Sequence, residues 1–216
     1  MASAPLLLGH RGARATKSVA ENTTASFELA LQHGCVGFEF DVRLTAAGHA
    51  VICHDAEVDG VTVSCATPTQ LRHLPQLSDV LLHFARRAFL DIELKVPGLE
   101  SQVLVALREH RPERGCVVSS FLPEVLLGLS ARGAAVSLGI ICDQRKDLDR
   151  WRDLPVAYVI LHHSLITSAL VEEVHRADKI LFAWTVNDQA SMLRLAGWDV
   201  DGIISDQTEL LVRTFR

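Results

Sequence analysis

Short apolar runs alternate with longer amphipathic ones along most of this chain, and that alternation restricts its fold more than any other feature. From residue 88 onward the apolar runs cover 89–94, 116–119, 136–141, 157–161, 180–184 and 202–204. Between them, residues 99–109, 123–131, 167–177 and 189–196 repeat Leu, Val or Ala at helical spacing. Pro123 stands early in one such stretch, Asp188 is placed to cap another, and Gly133 and Gly197 close two of them. Upstream, apolar runs at 6–9 and 36–42 flank a helical stretch at 24–33. Strand-helix alternation at this density predicts a parallel sheet with helices packed outside it. Eight strands with a helix after most of them predict a closed (β/α)8 TIM barrel. A doubly wound open sheet is the runner-up. It usually carries a glycine-rich nucleotide turn after its first strand, and the turn here reads GHRGAR rather than GxGxxG.

The alternation breaks once. Residues 44–48 (LTAAG) read as a turn and 49–54 as a return strand, so a hairpin after strand 2 would fold His54 back beside Glu39 and Asp41. Residues 56–75 have little periodicity and read as an insertion ahead of a helix at 76–85. No Pro/Gly/Ser-rich linker interrupts the chain, which predicts one domain over 1–216. That length suits one large core and is short for two ordinary domains. A net charge of -5 argues against a nucleic-acid partner. No apolar run approaches the roughly 20 residues that span a bilayer, so no transmembrane segment is expected. The opening residues lack a basic region and an adequate apolar stretch, so no signal peptide is expected either. Cys35, Cys53, Cys65, Cys116 and Cys142 are scattered without a CxxC pair. They are expected to be reduced and mostly buried in a cytoplasmic protein, not zinc ligands.

Charge enters this apolar framework where the first strands end. Leu6-Leu7-Leu8 runs into His10 and Arg11, Val36-Gly37-Phe38 into Glu39, Phe40 and Asp41, and Val51-Ile52-Cys53 into His54. Strand cores do not ordinarily carry such groups unless they face one shared polar site. Glu39 and Asp41 are two apart, so both project to one face while Phe38, Phe40 and Val42 face covering helices. Asp91-Ile92-Glu93-Leu94-Lys95 repeats the pattern. In a barrel, charges near strand C-termini converge on the face where active sites sit. Three carboxylates from two strands suit Mg2+ or Ca2+, two histidines can trade protons, and an arginine can clamp a phosphate. The combination predicts metal-assisted phosphoester hydrolysis. A half-exposed edge strand with solvated charges would explain either acidic pair alone, but both pairs have apolar flanks. His33, His73, His83, His110 and His175 are expected at the surface and His49 in a turn, with a structural role favoured for His162 and His163.

These motifs resemble a known family. HRG at 10–12, ENT at 21–23, ExD at Glu39 and Asp41, HD at 54–55, ELK at 93–95, SSF at 119–121, WTVN at 184–187 and GIISD at 202–206 occur in the order seen in glycerophosphodiester phosphodiesterases. The resemblance runs from about residue 6 to 206. It implies His10 and His54 as a general acid/base pair and Glu39, Asp41 and Glu93 as ligands of one divalent cation, Mg2+ or Ca2+. It further implies Arg11 and Lys95 on the phosphate oxygens, Asn22 near the site, and Phe121 and Trp184 as apolar walls. The substrate would be a small glycerophosphodiester, attacked by water or by a neighbouring substrate hydroxyl.

The chain departs from the family pattern in two places. Val19-Ala20 precede ENT where relatives usually have proline, and the segment at 56–75 is about half the usual cap length and has no aromatic residue. Alternatives are a related phosphodiesterase acting on lysophospholipids or another phosphodiester, or a non-catalytic barrel binding phosphorylated ligands. The last is disfavoured because no catalytic or ligand position is substituted.

Overall fold

The computed structural model describes residues 4–67 and 69–216. Residues 1–3, part of the segment read for a signal peptide, and Pro68, within 56–75, lie outside the described residues. The chain begins with β1 (Leu6–His10), α1 (Thr24–His33) and β2 (Gly37–Leu44). A return strand β3 (Ala50–Ile52), two short strands β4 (Glu57–Val58) and β5 (Val61–Thr62), and helix α2 (Leu77–Phe84) follow. Strands and helices then take turns as β6 (Phe89–Leu94), α3 (Glu100–Glu109), β7 (Cys116–Ser120), α4 (Pro123–Ala131) and β8 (Ser137–Cys142). The last part comprises β9 (Tyr158–His162), α5 (Ser168–Arg176), β10 (Ile180–Trp184), α6 (Gln189–Ala196), β11 (Gly202–Ser205) and α7 (Thr208–Phe215).

Pairing of β1 with both β11 and β2 closes eight parallel strands into the expected (β/α)8 barrel. The expected hairpin is also present: β3 runs antiparallel to β2, with Val42 opposite Ile52. Local chemistry explains the helix starts. Thr23, Thr167 and Asp188 accept hydrogen bonds from the backbone N–H groups of Ser26, Leu170 and Ser191, satisfying donors that the first turn leaves free.

Period-two patterning divides the apolar residues between two cores. Facing outward, Phe38 stacks on Phe27 of α1 at 4.2 Å and meets Phe84 of α2 edge-on at 5.0 Å. Facing inward, Phe89, Tyr158 and Phe182 fill the barrel floor, with centroids 5.1–6.4 Å apart. A Cβ on Gly202 would lie 2.5 Å from the Phe182 ring, so this position admits only glycine beside that side chain.

Boundaries agree with the sequence reading to within about two residues. Helix α7 is an addition to that reading; Thr208, Leu211 and Val212 are its buried residues. The described residues of 56–75 hold β4, β5 and a 3-10 turn at Val63–Cys65. Val51, Cys53, Val63, Ala66 and Leu71 give this segment a small satellite core. His73 and His83 are exposed as expected, whereas His33, His110 and His175 are half-buried. His33 Nδ1 lies 2.7 Å from Thr208 Oγ1, because α7 covers it. Among the described residues no helix is long and apolar enough to cross a membrane.

Candidate active site

Parallel pairing puts Glu39 beside Asp91 and Asp41 beside Glu93, so β2 and β6 present four carboxylates to the barrel interior. All four are buried. Oxygens of Glu39, Asp41 and Glu93, one from each, lie within 4.8 Å of one another. Among the described residues Glu39 Oε1 is buried without a hydrogen-bond partner, while Asp41 Oδ1 and Glu93 Oε1 are buried and meet Lys95 Nζ. Two fixed cations face the group. Arg11 Nε is 3.2 Å from Asp41 Oδ2, and Lys95 Nζ is 2.7 Å from Glu93 Oε1 and 3.3 Å from Asp41 Oδ1.

Four carboxylates against two cations leave excess negative charge in a buried place, and the ionisation of the acids reflects this. Burial, reinforced by the Asp41, Glu93 and Asp91 charges, pushes the Glu39 carboxyl well above the usual carboxylate range. Burial and Asp41 push Glu93 up to about 8, and burial pushes Asp91 up to about 7 against a hydrogen bond from Ser119. Burial works against ionisation of Asp41 as well, but Lys95, Arg11 and the Asn22 amide together hold it below its ordinary value. A carboxylate cluster of this kind fits a hard divalent cation, which Glu39, Asp41 and Glu93 would hold and which would supply the missing positive charge.

The loops above the strands are fastened to each other. Arg11 and Asn22 both have left-handed backbones, at φ 51° and 57°. Asn22 donates its backbone N–H to the Arg11 carbonyl at 3.1 Å, and Ser26 Oγ donates to the same carbonyl at 2.9 Å. A Cβ on Gly12, at φ 81°, would lie 2.3 Å from Ser26 Oγ, which explains the glycine of HRG. The backbone N–H of Arg11 donates to Glu39 Oε2 at 3.0 Å, and its guanidinium donates to Glu21 Oε1 at 2.7 Å.

A cavity of about 220 Å³ opens over the carboxylates. His10, Arg11, Glu39, His54, Glu93, Lys95, Phe121 and Trp184 line it, so most of the expected site residues meet there. Asp41 sits behind them, and Asn22 is set back further, donating through Nδ2 to Asp41 Oδ2 at 2.8 Å. The hairpin delivers His54 as expected, and Arg43 Nε fastens it by donating to its carbonyl at 2.8 Å. Phe121 and Trp184 meet edge-on at 5.6 Å and form one wall. Lys95 Nζ lies 5.8 Å from the centre of the Phe121 ring. Cys53 takes no part: burial pushes its thiol up to about 11, which leaves it protonated.

The two histidines differ in their surroundings. The His10 side chain is 10% exposed, with Nδ1 2.7 Å from Asp206 Oδ1 and Nε2 3.7 Å from Glu39 Oε2. That of His54 is 37% exposed, with Nδ1 2.7 Å from Asp55 Oδ1, and burial lowers its pKa. Asp206, Asn187, Glu21 and Asp91 belong to this constellation although sequence reasoning assigned them no role. Asp206, Asn187 and Glu21 lay in plain view within GIISD, WTVN and ENT, and Asp91 on the charged face of its strand.

Comparison with known proteins bears on the family and the fold. The glycerophosphoryl diester phosphodiesterase family profile matches residues 10–100 and 91–210. The chain is 31% identical over 240 residues to a glycerophosphodiester phosphodiesterase of Caldanaerobacter subterraneus, covering 98% of each protein. Among solved structures, the glycerophosphodiester phosphodiesterase of Thermotoga maritima superposes with a TM-score of 0.83 at 24% identity, over 98% of each chain. An Oleispira antarctica phosphodiesterase in complex with its product sn-glycerol-3-phosphate superposes at 0.86 and 24% identity, over 98% of this chain and 96% of that one. The shared barrel, the profile match and the full-length similarity together make the chain a member of the glycerophosphoryl diester phosphodiesterase family of hydrolases.

Proposed function

We propose that this protein hydrolyses glycerophosphodiesters to sn-glycerol 3-phosphate and an alcohol, with one Mg2+ or Ca2+ held by Glu39, Asp41 and Glu93. The observation that carries this reading is the convergence of three buried carboxylates, with oxygens within 4.8 Å of one another, beside two histidines, an arginine and a lysine. When bound, the cation supplies Lewis-acid polarisation of the phosphoryl oxygens and offsets negative charge developing in the transition state. Arg11 and Lys95 bind the same oxygens and orient the phosphorus for attack. His10 and His54 move the protons. One takes the proton of the attacking oxygen, and the other gives a proton to the alkoxide leaving phosphorus. Phe121 and Trp184 form the apolar wall against the carbon backbone of the glycerol, and Asn22 keeps Asp41 oriented. The product bound by the Oleispira antarctica relative supports the choice of sn-glycerol 3-phosphate. A single domain over 1–216 carries the reaction, and free cysteines suit a reducing, cytoplasmic setting.

The test is an assay of sn-glycerol 3-phosphate release from glycerophosphocholine, glycerophosphoethanolamine and glycerophosphoglycerol, with and without EDTA. Release that stops with chelator and returns with Mg2+ or Ca2+ is expected. Full activity in excess EDTA would refute the metal role, and no release from any of the three would refute the substrate class.

A further inference from the structure

An imidazole that exchanges a proton at one ring nitrogen must hold the other nitrogen in a defined state, since the tautomer decides which nitrogen offers a lone pair. His10 meets this requirement through a residue 196 positions away in the chain. Gly9 of β1 pairs with Ser205 of β11, so the next residues, His10 and Asp206, emerge side by side where the barrel closes. The Asp206 carboxylate is fixed from several sides. Its Oδ2 accepts from Asn187 Nδ2 at 2.7 Å, while its own backbone N–H donates to Asn187 Oδ1 at 2.9 Å. Ser205 Oγ donates to the same Asn187 oxygen at 3.1 Å, and Arg14 Nη1 lies 3.3 Å and 3.4 Å from the two carboxylate oxygens. Oδ1 is thereby aimed at His10 Nδ1, 2.7 Å away, and Nε2 is left facing the cavity and Glu39.

We propose that Asp206, clamped by Asn187, is the positioning residue of His10: it fixes the ring proton on Nδ1 and makes Nε2 the nitrogen that exchanges a proton with the substrate. This rests on the reading of His10 as a proton-transfer group. An ionised carboxylate accepts hydrogen bonds and donates none, so its partner nitrogen must carry hydrogen. Hydrogen bonds from His10 and Asn187 and the Arg14 charge, outweighing burial, hold Asp206 at a pKa of about 2, which keeps it an acceptor. When Nε2 gains a proton, the ring becomes a cation beside that carboxylate, so the pair stabilises the charge it creates. Among the described residues His54 has no such clamp. Its partner Asp55 is its chain neighbour, with a side chain 76% exposed.

Substituting D206N gives a pointed test because of Asn187. The Asn187 amide donates to one oxygen of residue 206, so the new side chain must keep its oxygen there and turn its NH2 toward His10. That donor selects the opposite tautomer, with hydrogen on Nε2 and the cavity-facing lone pair lost. The experiment uses the full chain supplied with Mg2+, histidine labelled with 15N, and the H10A spectrum to assign the ring. The wild type should show the Nδ1–H tautomer, and D206N the Nε2–H tautomer with kcat lowered on the order of 10²–10⁴-fold and KM little changed. A folded D206N protein with wild-type kcat, or one that loses kcat while keeping the Nδ1–H tautomer, would overturn the proposal. Should D206N fail to fold, the wild-type spectrum decides alone, since an Nε2–H tautomer there is incompatible with the assigned role. Full activity of H10A would instead overturn the underlying reading of His10, which separates the two failures.

Discussion

At the scale of single residues, the site brings together groups whose chemistry is ordinary and whose surroundings are not. His10 and His54 line one cavity from different directions, one at the end of a barrel strand and the other on the return of a hairpin. Alanine at either position should lower kcat by roughly 10²–10⁴-fold, the usual worth of a positioned acid or base. Both side chains face the cavity, so neither change should unfold the protein. Circular dichroism beside steady-state kinetics checks this, and a folded variant with normal turnover removes that histidine from the mechanism. Glu39, Asp41 and Glu93 were legible in sequence because carboxylates two apart in an apolar strand have few structural explanations. Asp206 was not. An aspartate just past a strand resembles any loop aspartate until barrel closure brings it to His10.

At the scale of elements, two features carry separate consequences. The Phe27, Phe38 and Phe84 rings join β2 to α1 and α2 on the outer face of the strand that supplies Glu39 and Asp41. Phe38→Ala leaves a void in a place walled by fully buried side chains, so it should destabilise the fold by about 3–5 kcal/mol. Urea unfolding measures this, and a loss below about 1 kcal/mol would mean that the helices collapse into the gap. The second feature is the reduced cap at 56–75, two strands of two residues and a satellite core without aromatic side chains. Discrimination between leaving groups needs contacts that differ in the transition state, and this cap offers few. Values of kcat/KM for choline, ethanolamine and glycerol leaving groups should therefore agree within about tenfold, or about 1.4 kcal/mol in barrier. A thousandfold preference would show that another segment encloses the head group.

At the scale of the whole molecule, stability and metal binding are joined through the buried carboxylates. Glu93 is raised from 4.5 to about 8 and Asp91 from 3.8 to about 7, so both hold a proton more tightly folded than unfolded. Their contribution to stability is fully present below about pH 4 and is lost as pH rises through their folded-state values. Metal-free protein should accordingly show a Tm that falls toward pH 8. Mg2+ or Ca2+ should restore it, at about 2–4 °C per kcal/mol for a chain of this size. Thermal scans with and without EDTA across that range test the idea, and a Tm at pH 8 indifferent to chelator and cation would contradict it. Strand-helix alternation, the hairpin and the inward face of each acidic strand were all decided by sequence, because each is a local pattern of two or 3.6 residues read against apolar flanks. Local pattern also hid helix α7, whose buried face makes sense only against α1 and α6 across the closing seam. What tertiary structure alone decided was which charges share a site and in what state. The pairing of β1 with β11 brings Asp206 to His10, the register of β2 on β6 sets four carboxylates in one array, and burial there shifts their ionisation. Those outcomes depend on distance and dielectric between residues far apart in the chain, quantities that exist only once the barrel has closed.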